Sequence, residues 1–250
     1  MGATVCEAVV ADPDLELVAA VDPPRAGVDL RVATGVEVAG LVVAADADVL
    51  TEAGAEVAVD FTHLDAARAN LRWCADHGVH SVVGTTGFDD GDYADLEARF
   101  TKSNCIIAPN FAVGAVLMMR FAELAAPWFE TAEIIELHHD QKVDAPSGTA
   151  MMTARRMAAA SADWGDDPTT KVVAAGARGG EGPAGIRVHA VRMRGMVAHQ
   201  EVLLGTTGQT LSIRHDTYDR TSFMPGVLLA LKAVADRPGL TVGLDAVLGL

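Results

Sequence analysis

The chain has 250 residues, of which 50% are hydrophobic and 5% aromatic, and its formal net charge at pH 7 is -15. This charge argues against nucleic acid or an anionic membrane surface as a partner, because both attract basic patches. The cysteines Cys6, Cys74 and Cys105 are scattered and odd in number, and no apolar run approaches the roughly 18 residues of a membrane span, so we expect a cytoplasmic protein with neither a disulfide framework nor a zinc site.

Short apolar segments alternate with helical stretches over the first 110 residues. The segments 15–21, 57–61, 80–83 and 105–107 are predicted strands, and 66–77 and 93–100 are predicted helices, the first of them closed by Gly78. This alternation is typical of a mostly parallel sheet built from βαβ units. The predicted fold class is therefore α/β, with a doubly wound, Rossmann-like sheet.

Several residues that follow predicted strands are candidates for a nucleotide site. Asp22 lies 20 residues after Gly2, close to the spacing at which a dinucleotide fold places the acid that binds ribose. Its carboxylate favours NADH, because it would repel a 2′-phosphate unless Arg25 offsets that charge. Without such a site, Asp22 is simply a turn residue before two prolines. Gly84, Thr85 and Thr86 also follow a predicted strand, and small residues there let backbone and hydroxyl groups approach a cofactor closely. Ala108, Pro109, Asn110 and Phe111 follow the next strand and, taken alone, form a turn.

The middle of the chain begins with an apolar helix at 113–119, whose methionines indicate core packing or a subunit contact. The β-prone segment 131–137 then delivers His138 and His139 at its carboxyl end. Successive strand residues point to opposite faces, so at least one of the two histidines is available to a ligand. For the same reason a metal site at His138, His139 and Asp140 is disfavoured.

The segment from Glu136 to Thr149 has the composition of an active-site loop. Lys142 is one of only four lysines in the chain, and Ser147 is a good N-cap for the helix that begins at Gly148. A histidine, a lysine and a helix N-terminus that attracts anions together suit protonation of an anionic substrate. The plain alternative is a capped helix that follows a surface loop.

Beyond the loop at 161–185, the segments 186–192, 197–204 and 210–215 are predicted to form antiparallel strands joined by hairpins. His199, within them, is interpreted as structural or interfacial. An apolar helix follows Arg220 and is predicted to return to the first domain. We therefore expect a discontinuous dinucleotide-binding domain of residues 1–112 and 220–250, and an α+β domain of residues 113–219 for substrate binding and oligomerisation.

These residues resemble the dihydrodipicolinate reductase family. The substrate loop of that family has the pattern Glu-Leu-His-His-x-x-Lys-x-Asp-Ala-Pro-Ser-Gly-Thr-Ala, which residues 136–150 match. Five further motifs resemble the family in the same order, and with the loop they span nearly the whole chain: Val59-Asp-Phe-Thr62, Val83-Gly-Thr-Thr-Gly87, Ala108-Pro-Asn-Phe111, Val197-Ala-His-Gln-Glu-Val202 and Asp219-Arg-Thr-Ser-Phe223.

The resemblance implies reduction of a cyclic imine dicarboxylate to tetrahydrodipicolinate by NADH or NADPH, in lysine and diaminopimelate biosynthesis. It also implies that Ala108, Pro109, Asn110 and Phe111 contact the nicotinamide end of the cofactor. His138 would protonate the substrate ring, and Lys142 would be its catalytic or binding partner. The substrate carboxylates would be held by His139, Gly148 and Thr149. The resemblance also implies a homotetramer built on the sheet of the middle domain, with no metal.

The chain departs from the family at its start. Met1-Gly2 resembles the end of the glycine-rich phosphate loop, so the first strand and most of that loop are missing. We expect a true start about a dozen residues upstream, the usual length of a strand and loop. Two other classes stay open: another nicotinamide-dependent dehydrogenase, and a truncated, non-catalytic relative that binds a dicarboxylate or serves as a structural subunit.

Overall fold

A computed structural model describes every residue from Met1 to Leu250, in two units formed by Met1–Ala112 with Arg220–Leu250 and by Val113–Asp219. The helices are α1 (Gly2–Ala11), α2 (Leu30–Thr34), α3 (Asp48–Glu52), α4 (Leu64–His77), α5 (Asp90–Arg99), α6 (Val113–Ala125), α7 (Gly148–Ala160), α8 (Met224–Ala233) and α9 (Asp245–Leu248). The strands are β1 (Val57–Asp60), β2 (His80–Val83), β3 (Cys105–Ile107), β4 (Thr131–His138), β5 (Gly180–Glu181), β6 (Arg187–Arg192), β7 (Ala198–Thr206), β8 (Gln209–Thr217) and β9 (Leu240–Val242). All the helices are too short or too polar to cross a lipid bilayer.

The sheet of the first unit has four parallel strands in the order β1-β2-β3-β9. β3 is buried along its whole length, as expected for a strand covered on both faces. The predicted strands at 57–61, 80–83 and 105–107 form β1, β2 and β3, so the predicted α/β class is confirmed. Since the strands run in the same direction, the loops that follow them meet at one edge of the sheet.

Two helices of the first unit have the ends that their sequences predict. α4 ends at Gly78, which adopts the left-handed conformation with φ +74° and donates its N–H to the Cys74 carbonyl. α5 begins with a reciprocal capping box between Asp89 and Asp92. Their apolar faces join the strands in a buried cluster of Leu71, Cys74, Ala75, Val79, Val83, Leu96, Phe100, Cys105 and Ile107. The predicted helices at 66–77 and 93–100 are thus confirmed, each with an earlier start.

The prediction of a strand at 15–21 is wrong. Only Val21 pairs, in a single parallel bridge with Ala44. A segment becomes a strand only through a ladder of hydrogen bonds with a neighbour, whatever the apolar content of its side chains. The neighbour of β1 in this sheet is β2, and residues 15–20 form no strand pairing with β1 or with β2.

The second unit is built on a mixed five-stranded sheet in the order β5-β6-β4-β7-β8. One face of the central strand β4 packs against α7, and α6 packs against α7 in turn. This core includes Ala122, Ala126, Ile134, Ala150, Ala154, Met157, Val188, Val202 and Leu204. Met118 and Met119 of α6 are also buried, which confirms the interpretation of its methionines as core residues. The predicted α+β character of this part of the chain is confirmed.

The pairing of β6 differs from the prediction. β7 and β8 form the expected hairpin across a two-residue turn that ends at Gly208, with φ +83°. β6 is not the hairpin partner of β7, because β4 lies between them and β6 runs parallel to β4. The predicted hairpin around Gly195 is therefore wrong. As a consequence, His138 at the end of β4 lies between Arg192 of β6 and Ala198 of β7.

Candidate active site

Alternation along β4 separates the two adjacent histidines. Ile134 is buried in the core beneath α7, and Glu136 and His138 follow it at two-residue intervals on the same face. The His138 side chain is 15% exposed. His139 lies just beyond the strand and is exposed. The two adjacent histidines therefore lie in different environments, as alternation along a strand predicts.

A buried carboxylate, Glu136, connects the residues of this site. Its Oε2 accepts hydrogen bonds from His138 Nδ1 at 2.5 Å and from Arg192 at 2.7 Å. Its Oε1 accepts from the Ser147 N–H at 3.0 Å and from Arg192 at 2.8 Å. Burial alone would raise the pKa of the Glu136 carboxyl, but the hydrogen bonds and charges of His138 and Arg192 outweigh it and bring the pKa to about 2.

The N-terminus of α7 lies beside this carboxylate. Ser147 is the N-cap, and its hydroxyl accepts a hydrogen bond from the Ala150 N–H at 3.2 Å, as predicted from the sequence. Gly148 is exposed, and a Cβ at this position would meet no atom within 4 Å. Thr149 is half-buried in the same turn. Open space thus lies beside the first turn of α7, where Gly148 and Thr149 are predicted to hold substrate carboxylates together with His139. We call these three residues the carboxylate cradle.

Lys142 lies in the loop between β4 and α7. Its Nζ donates to both oxygens of Asp144, at 2.7 and 2.9 Å. Lys142 lowers the pKa of the Asp144 carboxyl through this hydrogen-bonded ion pair. The Asp144 carbonyl in turn accepts from Arg192 at 2.6 Å. The lysine is therefore held by its own loop, and that loop is attached to the same arginine that binds Glu136.

In the first unit, the loops after β1 and β2 are joined by Asp60. This buried carboxylate accepts hydrogen bonds from the Thr62 N–H and hydroxyl, the Thr85 hydroxyl at 3.0 Å and the Asn70 amide at 2.8 Å. Thr85 is consequently buried, whereas Thr86 is exposed. At Gly84 a Cβ would overlap the ring of Phe61, so the glycine is required for packing at this strand end.

The remaining cofactor candidates have different exposures. Ala108 and Phe111 are buried, Pro109 is exposed, and Asn110 accepts a hydrogen bond from the Ala112 N–H at 2.9 Å. Asp22 has a side chain that is 45% exposed and lies 3.7 Å from Arg25 Nε. Asp22 thus presents an accessible carboxylate, as a ribose ligand requires.

Sequence reasoning missed three residues of these sites: Glu136 and Arg192 as partners of His138, and Asp60 as the link between two strand ends. For Glu136 a signal was present, because alternation along β4 places an acidic residue on the apolar face that carries His138. The Arg192 contact depends on the parallel pairing of β6 with β4, which was predicted incorrectly. The structure has no group of three or more His, Cys, Asp and Glu side chains placed to hold a metal ion.

One unit has a parallel sheet with polar strand ends, and the other has a histidine paired with a buried carboxylate, so the chain is a two-unit α/β protein with a candidate site in each unit. An amine dehydrogenase from Mycobacterium smegmatis shares this fold, with a TM-score of 0.66 and 15% identity over 98% of this chain and 93% of that one. The family model described as "Dihydrodipicolinate reductase, N-terminus" matches residues 1–111, and the model described as "Dihydrodipicolinate reductase, C-terminus" matches residues 114–248. The chain belongs to the dihydrodipicolinate reductase family.

Similar proteins include the 4-hydroxy-tetrahydrodipicolinate reductases of Cutibacterium acnes and Nocardia farcinica. Each is 50% identical to this chain over an alignment of 256 residues, which covers 100% of this chain and 95% of the relative. A dipicolinate-bound dihydrodipicolinate reductase from Paenisporosarcina sp. is 38% identical with a TM-score of 0.85, over 97% of this chain and 93% of that one. The family resemblance is confirmed: the chain is a reductase of lysine and diaminopimelate biosynthesis that uses a nicotinamide cofactor.

Proposed function

We propose that His138 is the acid and Lys142 the catalytic or binding partner in reduction of a cyclic imine dicarboxylate. The single observation that carries this proposal is the contact of Glu136 with both His138 and the Ser147 N–H, which places a proton-donating side chain beside a helix N-terminus. A reaction that protonates the ring of a dianionic substrate needs both features together. His139, Gly148 and Thr149 hold the substrate carboxylates, with the helix dipole and Lys142 supplying positive potential.

The chemistry adds a hydride and a proton across a conjugated carbon–carbon double bond of the ring. A nicotinamide cofactor bound by the first unit would supply the hydride. His138 gives a proton from its imidazolium to the adjacent carbon and then regains one from solvent. The carboxylate contacts hold the ring in place, so that positioning contributes much of the rate. Dipicolinate, the dicarboxylate bound in the Paenisporosarcina relative, has the charge pattern that this cradle would accept.

The cofactor would be held by the first unit. Asp22 would accept the ribose hydroxyls, which favours NADH over NADPH, and Arg25 would soften the repulsion of a 2′-phosphate. Gly84, Thr85 and Thr86, with Ala108, Pro109, Asn110 and Phe111, would form the strand-end surface toward the nicotinamide. Exposed Thr86 and Pro109 would touch the cofactor, while buried Thr85, Ala108 and Phe111 would shape the backbone around it.

The second unit would also build a homotetramer through its sheet. The first four residues of β8, 209–212, are exposed, and Leu211 is 37% exposed. Leu211 is the one apolar side chain among these four residues, and contact with another copy of the chain would remove it from water. We place the protein in the cytoplasm, where its three free cysteines would stay reduced.

The test is oxidation of NADH and NADPH by the purified chain, with substrate made freshly from pyruvate and aspartate semialdehyde. NADH should be oxidised faster than NADPH, and His138→Gln should lower kcat by roughly 10²- to 10⁴-fold. His77→Gln is the matched control, because His77 lies on α4 in the first unit and bonds only locally to the Trp73 carbonyl. Full turnover by His138→Gln would overturn the acid assignment.

Lys142 is tested by binding and turnover of Lys142→Met. We expect weaker binding of dipicolinate (pyridine-2,6-dicarboxylate), measured by calorimetry, or a lower kcat. Lys102→Met is the control, since Lys102 is an exposed lysine in the first unit. If Lys142→Met changes neither quantity, the proposed role of Lys142 is wrong.

A further inference from the structure

Glu136 is a carboxylate with no exposed surface, and every hydrogen bond it accepts comes from a part of the proposed site. Its donors are His138 on the same strand, the Ser147 N–H at the start of α7, and both terminal nitrogens of Arg192 on β6. A buried carboxylate is tolerated only when it is paired and hydrogen-bonded. Four donors satisfy that requirement here, and they fix the positions of both carboxylate oxygens.

The charge state of Glu136 determines which nitrogen of His138 carries the hydrogen. Because the pKa of Glu136 is about 2, the group is ionised near neutral pH and can only accept hydrogen bonds. The 2.5 Å contact with His138 Nδ1 therefore requires a hydrogen on Nδ1. In the neutral ring Nε2 is then the unprotonated nitrogen, and in the imidazolium it is the nitrogen whose proton can leave.

Arg192 keeps this arrangement in place. Its guanidinium binds both oxygens of Glu136 in a two-pronged contact, which is the geometry that an arginine fork prefers. It lies directly opposite His138 in the parallel register of β6 and β4. It also donates to the Asp144 carbonyl, so the same side chain holds the loop that carries Lys142.

We infer that Glu136 is the positioning residue that holds His138 as the Nδ1–H tautomer, with Nε2 directed to the substrate. Arg192 fixes the Glu136 carboxylate, and Glu136 in turn keeps His138 beside the start of α7 at Ser147. This inference rests on the proposed role of His138 as the acid. It goes further, because it assigns the orientation and tautomer of the acid to a residue that does not touch the substrate.

The alternative is that Glu136 only stabilises the fold through its ion pairs. A second paired glutamate on the same strand, Glu133, is a matched control for that structural role. Glu133, three residues earlier on β4 and on the opposite face, also binds a histidine and an arginine. His189 Nε2 and the Arg178 guanidinium each lie 2.6 Å from its carboxylate oxygens. Glu133→Gln therefore removes the same kind of charge from the same strand, away from His138.

The first measurement is nitrogen NMR of the intact protein labelled with ¹⁵N-histidine, with the His138 signals assigned by their loss in His138→Gln. In the neutral ring of the unsubstituted protein we expect the hydrogen on Nδ1. Glu136→Gln should shift His138 toward the Nε2–H form or a mixture, because the side-chain amide can turn an N–H group toward Nδ1. Glu133→Gln should leave the His138 signals unchanged.

The second measurement is the kinetics of the same two variants. We expect Glu136→Gln to lower kcat on the order of tenfold to a hundredfold, with a smaller change in KM for the dicarboxylate, and Glu133→Gln to alter neither. The inference is overturned if neutral His138 carries its hydrogen on Nε2 in the unsubstituted protein, a result that needs no variant to fold. An equal kcat loss in both variants would also overturn it. Retained turnover by His138→Gln would instead reject the acid assignment, whatever the tautomer.

Discussion

At the residue scale, Lys142 has a charge that another side chain already neutralises. Asp144 binds Lys142 Nζ with both oxygens, and its own side chain is about half exposed. A substrate carboxylate that binds Lys142 has to compete with this local carboxylate. Under the proposed role of Lys142, the loop would set the affinity for dicarboxylates, because two anions would compete for one ammonium group.

Asp144→Asn should strengthen dicarboxylate binding. Removal of a partly exposed competing charge is worth about 0 to 1 kcal/mol, so we expect the Kd for pyridine-2,6-dicarboxylate to fall by up to about fivefold. Calorimetric titration measures this change, with Asp140→Asn, which breaks the neighbouring pair with Arg194, as the control. Weaker binding by Asp144→Asn would mean that Asp144 orients Lys142 and does not compete with the ligand.

Gly226 of α8 should not tolerate a side chain. A Cβ there would overlap the Phe111 carbonyl oxygen and lie 2.9 Å from Leu244 Cδ2. A backbone atom cannot rotate away as a side chain can, so we expect Gly226→Ala to lower the free energy of unfolding by about 1 to 3 kcal/mol. Urea denaturation measures the loss. Gly2→Ala in α1, where a Cβ meets nothing within 4 Å, should show no comparable loss.

Single residues were predictable from the sequence where their chemistry is local. The histidine, the lysine and the Ser147 cap occur within one short segment, and the placement of His138 at the end of a strand follows from that segment alone. Arg192 lies 56 residues from Glu136, and its contact depends on which strands are neighbours. A local pattern contains no information about that pairing.

At the element scale, α7 is the helix on which the proposed cradle depends. Ser147→Ala removes the hydroxyl that accepts from the Ala150 N–H, while the Ser147 N–H to Glu136 contact uses the backbone and remains. We expect a loss of about 0.5 to 2 kcal/mol in the free energy of unfolding. Ser161→Ala, at the other end of α7, is the control in the same urea titration, since Ser161 engages Met157 and Trp164 through its backbone. Equal losses in the two variants would exclude a capping role for Ser147.

The strands show where element prediction succeeds and where it does not. Runs of β-prone residues located β1 to β4 and the β7–β8 hairpin, because these signals lie within each segment or its turn. Segment 15–21 has the same apolar character but only one bridging partner, and β6 is parallel to β4 because β4 separates it from β7. Both errors concern neighbours, which are set by tertiary packing.

At the scale of the whole molecule, the net charge of -15 coexists with carboxylates that are tightly paired. Burial opposes ionisation of Glu136, yet its partners bring its pKa to about 2, and the Thr169 hydroxyl and N–H bring the pKa of Asp167 to about 2 as well. The Arg68 contact likewise lowers the pKa of Asp92. These groups bind protons more readily in the unfolded chain than in the folded one, so acid favours unfolding.

The stability that comes from Glu136 should be fully present above its ordinary pKa of 4.5 and be lost as the pH falls toward about 2. A shift of this size corresponds to on the order of 3 kcal/mol, at about 1.4 kcal/mol per pKa unit. Urea unfolding between pH 7 and pH 3 should show the free energy of unfolding falling steeply below about pH 4.5. In Glu136→Gln the protein should be less stable at pH 7, but its stability should fall less with acid, because the titrating group is gone. Glu97→Gln, which removes an exposed carboxylate, should keep the original steepness. If Glu136→Gln retained the full acid dependence, the ionised, hydrogen-bonded state of Glu136 would be wrong, and with it the reason for placing the hydrogen on His138 Nδ1.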